Sequence, residues 1–86
     1  GESMQPMIRD GSVLLVDLSQ THVVDGRIYA LRYGDELRVK RLFKRLDGTL
    51  IIRSDFAECY PEEVVSGSDL EQLQIIGRVV WVGGVV

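Results

Sequence analysis

The stretch RIYALRYGDELRVKRLFKRLDGTLIIR, residues 27–53, decides the fold of this chain. Apolar and polar residues alternate along much of it, and such alternation is typical of β-strands that bury one face. Gly34-Asp35 and Asp47-Gly48 interrupt the pattern, and Gly and Asp pairs between two strands favour tight hairpin turns. The sequence therefore predicts three strands joined in an antiparallel meander: residues 27–33, 36–46 and 49–53.

Further strands are predicted on both sides of the meander. Ser12 to Leu18 is rich in Val and Leu on both faces, so we expect a buried strand in the centre of the sheet. Gln74 to Val82 forms the last strand, and Gly77 inside it suggests a bulge or a close backbone approach. Residues 69–73 are expected to form one helical turn. The predicted fold is mainly β, a small antiparallel sheet or half-open barrel in a single domain, residues 1–86.

Composition is typical of a small globular domain. The 86 residues are 45% hydrophobic and 27% charged, and they contain no apolar run long enough for a membrane helix. Cys59 is the only cysteine, so no internal disulfide can form, which fits a reducing compartment. His22 has no Cys or carboxylate at ligand spacing and is expected at the surface. We expect no metal and no cofactor.

The charges are unevenly placed. A net charge of −3 argues against nucleic-acid binding by the domain as a whole. Residues 38–45 nevertheless hold several cations and no acid, whereas residues 54–77 hold several acids and no Lys or Arg. We interpret the basic cluster as a solvated strand edge, because Lys and Arg commonly protect exposed edges. Contact with phosphate, or with the acidic stretch within one chain or across a dimer, is the alternative.

Local physics gives Ser3 two interpretations. Its hydroxyl could cap a short helix, for which Pro6 fits an early position. It could also be a nucleophile, because a helix start gathers free backbone N–H groups that stabilise an oxyanion. A serine nucleophile needs a base, and Lys40 follows in an alternating strand. Alternation places Lys40 on a face with Arg38 and Lys44, which predicts a solvated and charged lysine.

Three segments carry a resemblance to a known family. They are Gly1-Glu2-Ser3-Met4-Gln5-Pro6, Asp10-Gly11-Ser12-Val13-Leu14-Leu15-Val16-Asp17 and Val39-Lys40-Arg41-Leu42. Together they resemble the C-terminal domain of LexA-type and phage repressors, which the mutagenesis protein UmuD shares, from residue 1 to about Trp81. Those proteins are self-cleaving serine peptidases with a Ser–Lys dyad and a mostly β fold. Residues 54–61 resemble the family's Ser-Asp-Asn turn, but Phe56 stands where Asn is usual and Ala57 where Pro is common.

The resemblance implies roles for particular residues. Ser3 would be the nucleophile and Lys40 the general base, buried under a substrate loop that removes its water. The backbone N–H groups of Ser3 and Met4 would stabilise the oxyanion. The scissile bond, commonly Ala-Gly or Cys-Gly, lies upstream of the serine motif in the family. We therefore expect this chain to lack its own cleavage loop and DNA-binding domain, and not to cleave itself in cis.

The resemblance leaves three functions open. The first is the self-cleavage and dimerisation domain of a cytoplasmic transcriptional repressor, induced by a RecA-type filament in the SOS response to DNA damage. The second is a non-cleaving dimerisation module, in which DNA is bound only by an absent N-terminal domain. The third is a peptidase of the signal-peptidase type, which usually carries a membrane anchor. The absence of an apolar span favours the first two, with no membrane partner.

The last predicted strand carries the expected interface of a homodimer. Gln74 to Val82 holds more apolar surface than a small domain can leave exposed. Ile76, Val79 and Trp81 are therefore expected at a two-fold interface, as the resemblance also implies. For Trp81, packing in the core or at the interface is preferred over stacking on a ligand.

Overall fold

A computed structural model describes residues 2–84 as one open antiparallel sheet and one short helix. The order of the strands across the sheet is β1-β6-β2-β3-β4-β5. The elements are β1 (Val13–Asp17), β2 (Ile28–Tyr33), β3 (Glu36–Lys44), β4 (Leu50–Arg53), β5 (Glu63–Val65), α1 (Gly67–Gln72) and β6 (Leu73–Gly83). The predicted mainly β fold is confirmed. No helix within the described range is long and apolar enough to cross a membrane.

The predicted meander forms as the turn residues indicated. Tyr33 pairs with Glu36 across a two-residue turn whose Gly34 has a φ of 59°, a left-handed conformation that glycine adopts without steric cost. The β3–β4 hairpin closes through Asp47-Gly48, and Lys44 pairs with Leu50. β5, a three-residue edge strand paired with β4, lies in a stretch for which no strand was predicted.

One face of the meander forms the core. Tyr29 and Leu31, on one face of β2, are buried, and Tyr29 is fully so. Antiparallel partners lie on the same face of a sheet, and the rest of the cluster comes from β3 and β4. The buried cluster consists of Tyr29, Leu31, Leu42, Leu50 and Ile52. This core fixes the register of β3, and therefore the direction in which Lys40 points.

The prediction that residues 12–18 form a central strand is wrong. β1 is an edge strand paired only with β6, and Val13 and Leu15 are at least half exposed. Apolar residues on both faces are typical of a central strand, but here one set of side chains remains uncovered. The physical reason is that β6, at 11 residues, lies between β1 and the meander and takes the central position.

Gly77 in β6 meets the expectation of a close approach and a nearby bulge. The register between β2 and β6 shifts beside it, between Ala30 and Leu31. A Cβ atom at Gly77 would lie 2.8 Å from Val16 Cγ1 and would overlap the carbonyl oxygen of Asp17. Only glycine therefore lets β1 pack this closely on β6.

Candidate functional site

A cleft of about 700 Å³ brings the two sequence-predicted catalytic residues to one surface. Ser3 lines it from the N-terminal turn, and Lys40 lines it from the middle of β3. Ser54 and Tyr60, from the segment after β4, complete its wall beside the lysine. Residues separated by 37 positions thus share one cleft.

Lys40 is buried, with 8% of its surface exposed, so the prediction of a solvated lysine is wrong. Its strand partner is Tyr29, which is fully buried, so Lys40 lies on the core-facing side of β3. Leu37, on the opposite face of β3, is 65% exposed. Alternation therefore predicted the wrong face of β3 to be buried. The reason is that β3 carries polar and apolar residues on both faces.

The amine of Lys40 has defined neighbours. Its Nζ donates a 2.7 Å hydrogen bond to Oγ of Ser54, whose side chain is also buried. The ring of Tyr60 lies with its centroid 5.3 Å from Nζ, a distance that permits a cation–π contact. These residues already cover Lys40, although the resemblance had implied that the substrate loop would do so.

The surroundings of Lys40 favour its neutral form. Burial lowers the pKa of the Lys40 amine below its ordinary value of 10.5, because a charged ammonium loses hydration in the protein interior. The positive charge of Arg38 lowers that pKa further. The carboxylate of Glu63 acts in the opposite direction and raises it. The net effect is a lysine that gives up its proton more readily than a lysine in water.

The serine turn is anchored to the turn that follows β4. The carbonyl of Ser3 accepts a 2.8 Å hydrogen bond from the backbone N–H of Phe56. The Sδ atom of Met4, which is 3% exposed, accepts a longer one, 3.5 Å, from the N–H of Asp55. Residues 3–7 form turns instead of a helix, so Ser3 caps no α-helix. Because Phe56 acts through its backbone, the departure from Asn at this position leaves the contact with Ser3 intact.

An ion pair holds the same turn against β3. The guanidinium of Arg41 donates to both oxygens of Asp55, at 2.6 and 3.1 Å, and to the carbonyl of Gly26 at 2.7 Å. Both side chains of the pair are largely buried, and a bidentate arrangement in such a place is directional. Arg41 and Lys40, adjacent on β3, thus hold adjacent residues of this turn, Asp55 and Ser54.

Ser54 is the residue at this site that the sequence analysis did not single out. A signal was nevertheless present in the hairpin. Arg41 pairs with Arg53, so the next positions along the two strands, Lys40 and Ser54, lie opposite each other. Once the register of the β3–β4 hairpin is fixed at the Asp47-Gly48 turn, the contact between Lys40 and Ser54 can be predicted.

The remaining predicted residues lie in different places. Met4, expected to contribute a backbone N–H, lines the cleft next to Ser3. Of the expected interface residues, Ile76 and Val79 are half-buried in β6, and Trp81 is 52% exposed. His22 is exposed, and its carbonyl accepts a hydrogen bond from the hydroxyl of Tyr29.

Sequence comparison decides the family. Residues 1–80 match the Peptidase S24-like family. The chain belongs to that family. The resemblance that the three motifs carried is therefore confirmed over nearly its whole predicted extent.

Three relatives of this S24-like chain come from different sources. The HTH-type transcriptional regulator PrtR of Pseudomonas aeruginosa is 43% identical over 83 residues, which cover 94% of the chain and 32% of the regulator. Repressor protein CI of Enterobacteria phage phi80 is 40% identical over 81 residues, with 94% and 33% covered. An uncharacterised HTH-type transcriptional regulator of Haemophilus influenzae is 41% identical over 83 residues, with 96% and 34% covered. The S24-like chain spans about a third of the length of these relatives.

Proposed function

We propose that this S24-like chain is the C-terminal self-cleavage and dimerisation domain of a transcriptional repressor that acts in the cytoplasm. Ser3 is the nucleophile and Lys40 its general base. The observation that carries the proposal is the burial of Lys40 in the cleft that Ser3 also lines. A lysine can serve as a base near neutral pH only when its pKa is lowered, and burial in this cleft acts in that direction.

The proposed chemistry is acyl transfer. Neutral Lys40 removes the proton of the Ser3 hydroxyl while Oγ attacks the carbonyl carbon of the scissile peptide bond. Backbone N–H groups of Ser3 and Met4 stabilise the oxyanion that forms. The protonated lysine then gives its proton to the departing amine, and the C–N bond breaks. Water hydrolyses the resulting ester of Ser3, with Lys40 again accepting the proton.

Ser54 has a positioning role in this scheme. Its oxygen accepts a hydrogen from Nζ of Lys40 at 2.7 Å. A neutral amine has two hydrogens and one lone pair, so a bond that fixes one hydrogen restricts where the lone pair points. Ser54 thereby orients the base toward the cleft without touching the substrate.

The test uses a full-length protein that carries this domain behind a linker with an Ala-Gly or Cys-Gly pair. We expect its linker to be cleaved spontaneously, faster at alkaline pH, with the intact mass as the readout. Ser3→Ala removes the nucleophile and Lys40→Ala removes the base, so each should abolish cleavage at neutral pH. Lys40→Arg should abolish it as well, because a guanidinium stays protonated. Ser68→Ala and Lys44→Ala, at exposed positions, are the matched controls and should cleave like the wild type. Cleavage that persists in Ser3→Ala would assign the activity to another group.

The proposed partners are a second copy of the chain, a RecA-type filament and, through an upstream domain, DNA. Adding an activated filament at neutral pH should accelerate cleavage of the wild type and leave Ser3→Ala intact. If the wild type stays intact even with the filament and at high pH, the non-cleaving dimerisation module becomes the better function. The exposed apolar face at Leu15 and Trp81 favours dimerisation in either case.

A further inference from the structure

A second cavity, of about 390 Å³, opens beside the proposed catalytic cleft. Its floor includes two core residues, Leu31 and Ile52, and the half-buried Leu73. Its size and apolar floor are those of a site that takes an apolar group. The Arg38–Glu63 ion pair, 3.4 Å long, lines this cavity and the catalytic cleft, so it lies between the two.

The rim of the second cavity is acidic. Three carboxylates, those of Glu36, Glu63 and Asp69, lie around it with one cation, Arg38. That cation is already engaged, because Arg38 contacts Glu36 at 2.6 Å and Glu63 at 3.4 Å. An apolar floor with an excess of negative charge on the rim fits an apolar side chain that has cations next to it.

The tip of the β3–β4 hairpin has that chemistry. Leu46 is fully exposed at the tip, although it is a large apolar residue. Lys44 and Arg45 precede it and are exposed, and neither forms an ion pair with any residue in the range 2–84. Two backbone hydrogen bonds close the tip: the N–H of Arg45 donates to the carbonyl of Thr49, and the N–H of Gly48 donates to the carbonyl of Arg45. The shape of the tip is therefore fixed before any contact is made.

The tip does not occupy the cavity of its own molecule. Leu46 is fully exposed, and backbone hydrogen bonds hold the tip in this position. Glu36, on the far rim of the cavity, lies at the opposite end of the nine-residue strand β3 from Lys44, roughly 26 Å away at about 3.3 Å per residue. A contact between tip and cavity therefore joins two molecules.

We propose that the hairpin tip of one molecule inserts Leu46 into the second cavity of another copy of this chain, with Lys44 and Arg45 paired to the carboxylates on the rim. A two-fold arrangement in which each tip occupies the other molecule's cavity makes both contacts at once. The contact uses neither Ser3 nor Lys40 and does not rest on the proposed peptidase chemistry. It is also separate from the β1–β6 face at Trp81.

Photo-crosslinking tests the contact directly. A photoreactive phenylalanine derivative replaces Leu46, and proteins with light and heavy nitrogen are mixed at high micromolar concentration. We expect mixed-isotope crosslinks from position 46 to residues 63–73, which border the cavity. The same probe at Leu18, another exposed leucine, is the control and should give no crosslink to that segment.

Charge reversal supplies the second arm of the experiment. Glu63→Lys/Asp69→Lys should lower the yield of those crosslinks roughly tenfold, since attraction at the rim becomes repulsion. When the molecule that carries the probe at position 46 also carries Lys44→Glu/Arg45→Glu, its tip is attracted to the reversed rim, and the crosslink yield should be restored. All four side chains are exposed, so an unchanged unfolding midpoint shows that the variants are folded. Three results would each overturn the proposal. They are crosslinks found only between chains of the same isotope, no crosslink to residues 63–73, and a crosslink yield that charge reversal leaves unchanged.

Discussion

Nζ of Lys40 lies 2.7 Å from Oγ of Ser54, and 8% of the lysine and 4% of the serine are exposed. Burying an amine costs free energy, and a single hydrogen bond offsets only part of that cost. The pair is therefore not expected to stabilise the fold, and this agrees with the proposed role of Lys40 as a base. Its effects on stability and on cleavage can be measured separately.

Replacing the pair by apolar groups should stabilise the fold. In Lys40→Met/Ser54→Ala both polar groups disappear, and we expect the free energy of unfolding at pH 7 to rise by about 1 kcal/mol. Lys40→Met alone should gain less, because it leaves the Ser54 hydroxyl unpaired. Urea denaturation measures both. A double variant that is clearly less stable than the wild type would mean that the pair stabilises the fold.

The gain should depend on pH. The folded-state pKa of Lys40 is lowered from 10.5, so between the two pKa values the unfolded chain binds more protons. Wild-type stability therefore rises with pH through that window, relative to a variant without the amine. The advantage of Lys40→Met/Ser54→Ala should be full below the folded-state pKa and lost as the pH approaches 10.5. Paired unfolding curves from neutral to alkaline pH check this difference.

Ser54→Ala should slow self-cleavage strongly and change the free energy of unfolding only slightly. Without the Ser54 hydroxyl the amine of Lys40 is no longer oriented, so we expect the cleavage rate of the full-length protein to fall roughly 10- to 100-fold. Ser54→Thr keeps the hydroxyl and should recover much of the rate. The pH dependence of cleavage should change in Ser54→Ala, which a purely structural role would not cause. Equal rates and equal pH profiles for Ser54→Ala and the wild type would remove Ser54 from the proposed machinery.

Two charges beside the cleft should shift the pH dependence of cleavage in opposite directions. Arg38 lowers the pKa of Lys40, so Arg38→Gln should raise the pH at which cleavage is half-maximal. Glu63 raises that pKa, so Glu63→Gln should lower the midpoint. At a fixed pH below the midpoint we expect rate changes of roughly twofold to threefold, because both charges are half exposed and screened by salt. Shifts in the same direction would contradict this electrostatic account.

Gly77→Ala should destabilise the domain by about 1–3 kcal/mol, because the added methyl meets the backbone of β1 and neither strand can give way cheaply. Gly84→Ala is the control, since nothing lies within 4 Å of a Cβ atom there. Thermal unfolding of the two variants gives the comparison. Equal midpoints would show that β1 can move away from β6 at little cost.

The apolar face at Trp81 should carry the proposed homodimer. Leu15 lies opposite Trp81 in the β1–β6 ladder, and both are more than half exposed. In a protein whose proposed hairpin contact is blocked by Lys44→Glu/Arg45→Glu, Trp81→Ser should weaken dimerisation by roughly 10- to 100-fold, because large aromatic residues dominate interface energies. Leu18→Ser, at a more exposed leucine just after β1, should leave it unchanged. Sedimentation equilibrium distinguishes the two, and a wild type that stays monomeric at high micromolar concentration would disprove the homodimer.

Sequence alone determined the local structure and the family. Alternation over residues 27–53 predicted the strands, and Gly34-Asp35 and Asp47-Gly48 predicted the hairpins, because these signals act between residues close in the chain. The motifs around Ser3 and Lys40 indicated the family, which residues 1–80 match. The close approach at Gly77 was also predictable, since a glycine inside a strand often marks a bulge or a neighbouring backbone.

Only the tertiary structure decided what depends on neighbours distant in sequence. The sequence could not show that β6 takes the central position and leaves β1 at the edge, since strand order depends on which long-range pairing buries more surface. Nor could alternation show that Lys40 is buried, because β3 carries apolar residues on both faces. The face that turns toward the core is decided by Tyr29, which is fully buried and lies opposite Lys40. The contact with Ser54 follows from that choice. Burial is a property of the packed neighbours, and it is burial that lowers the pKa of this lysine.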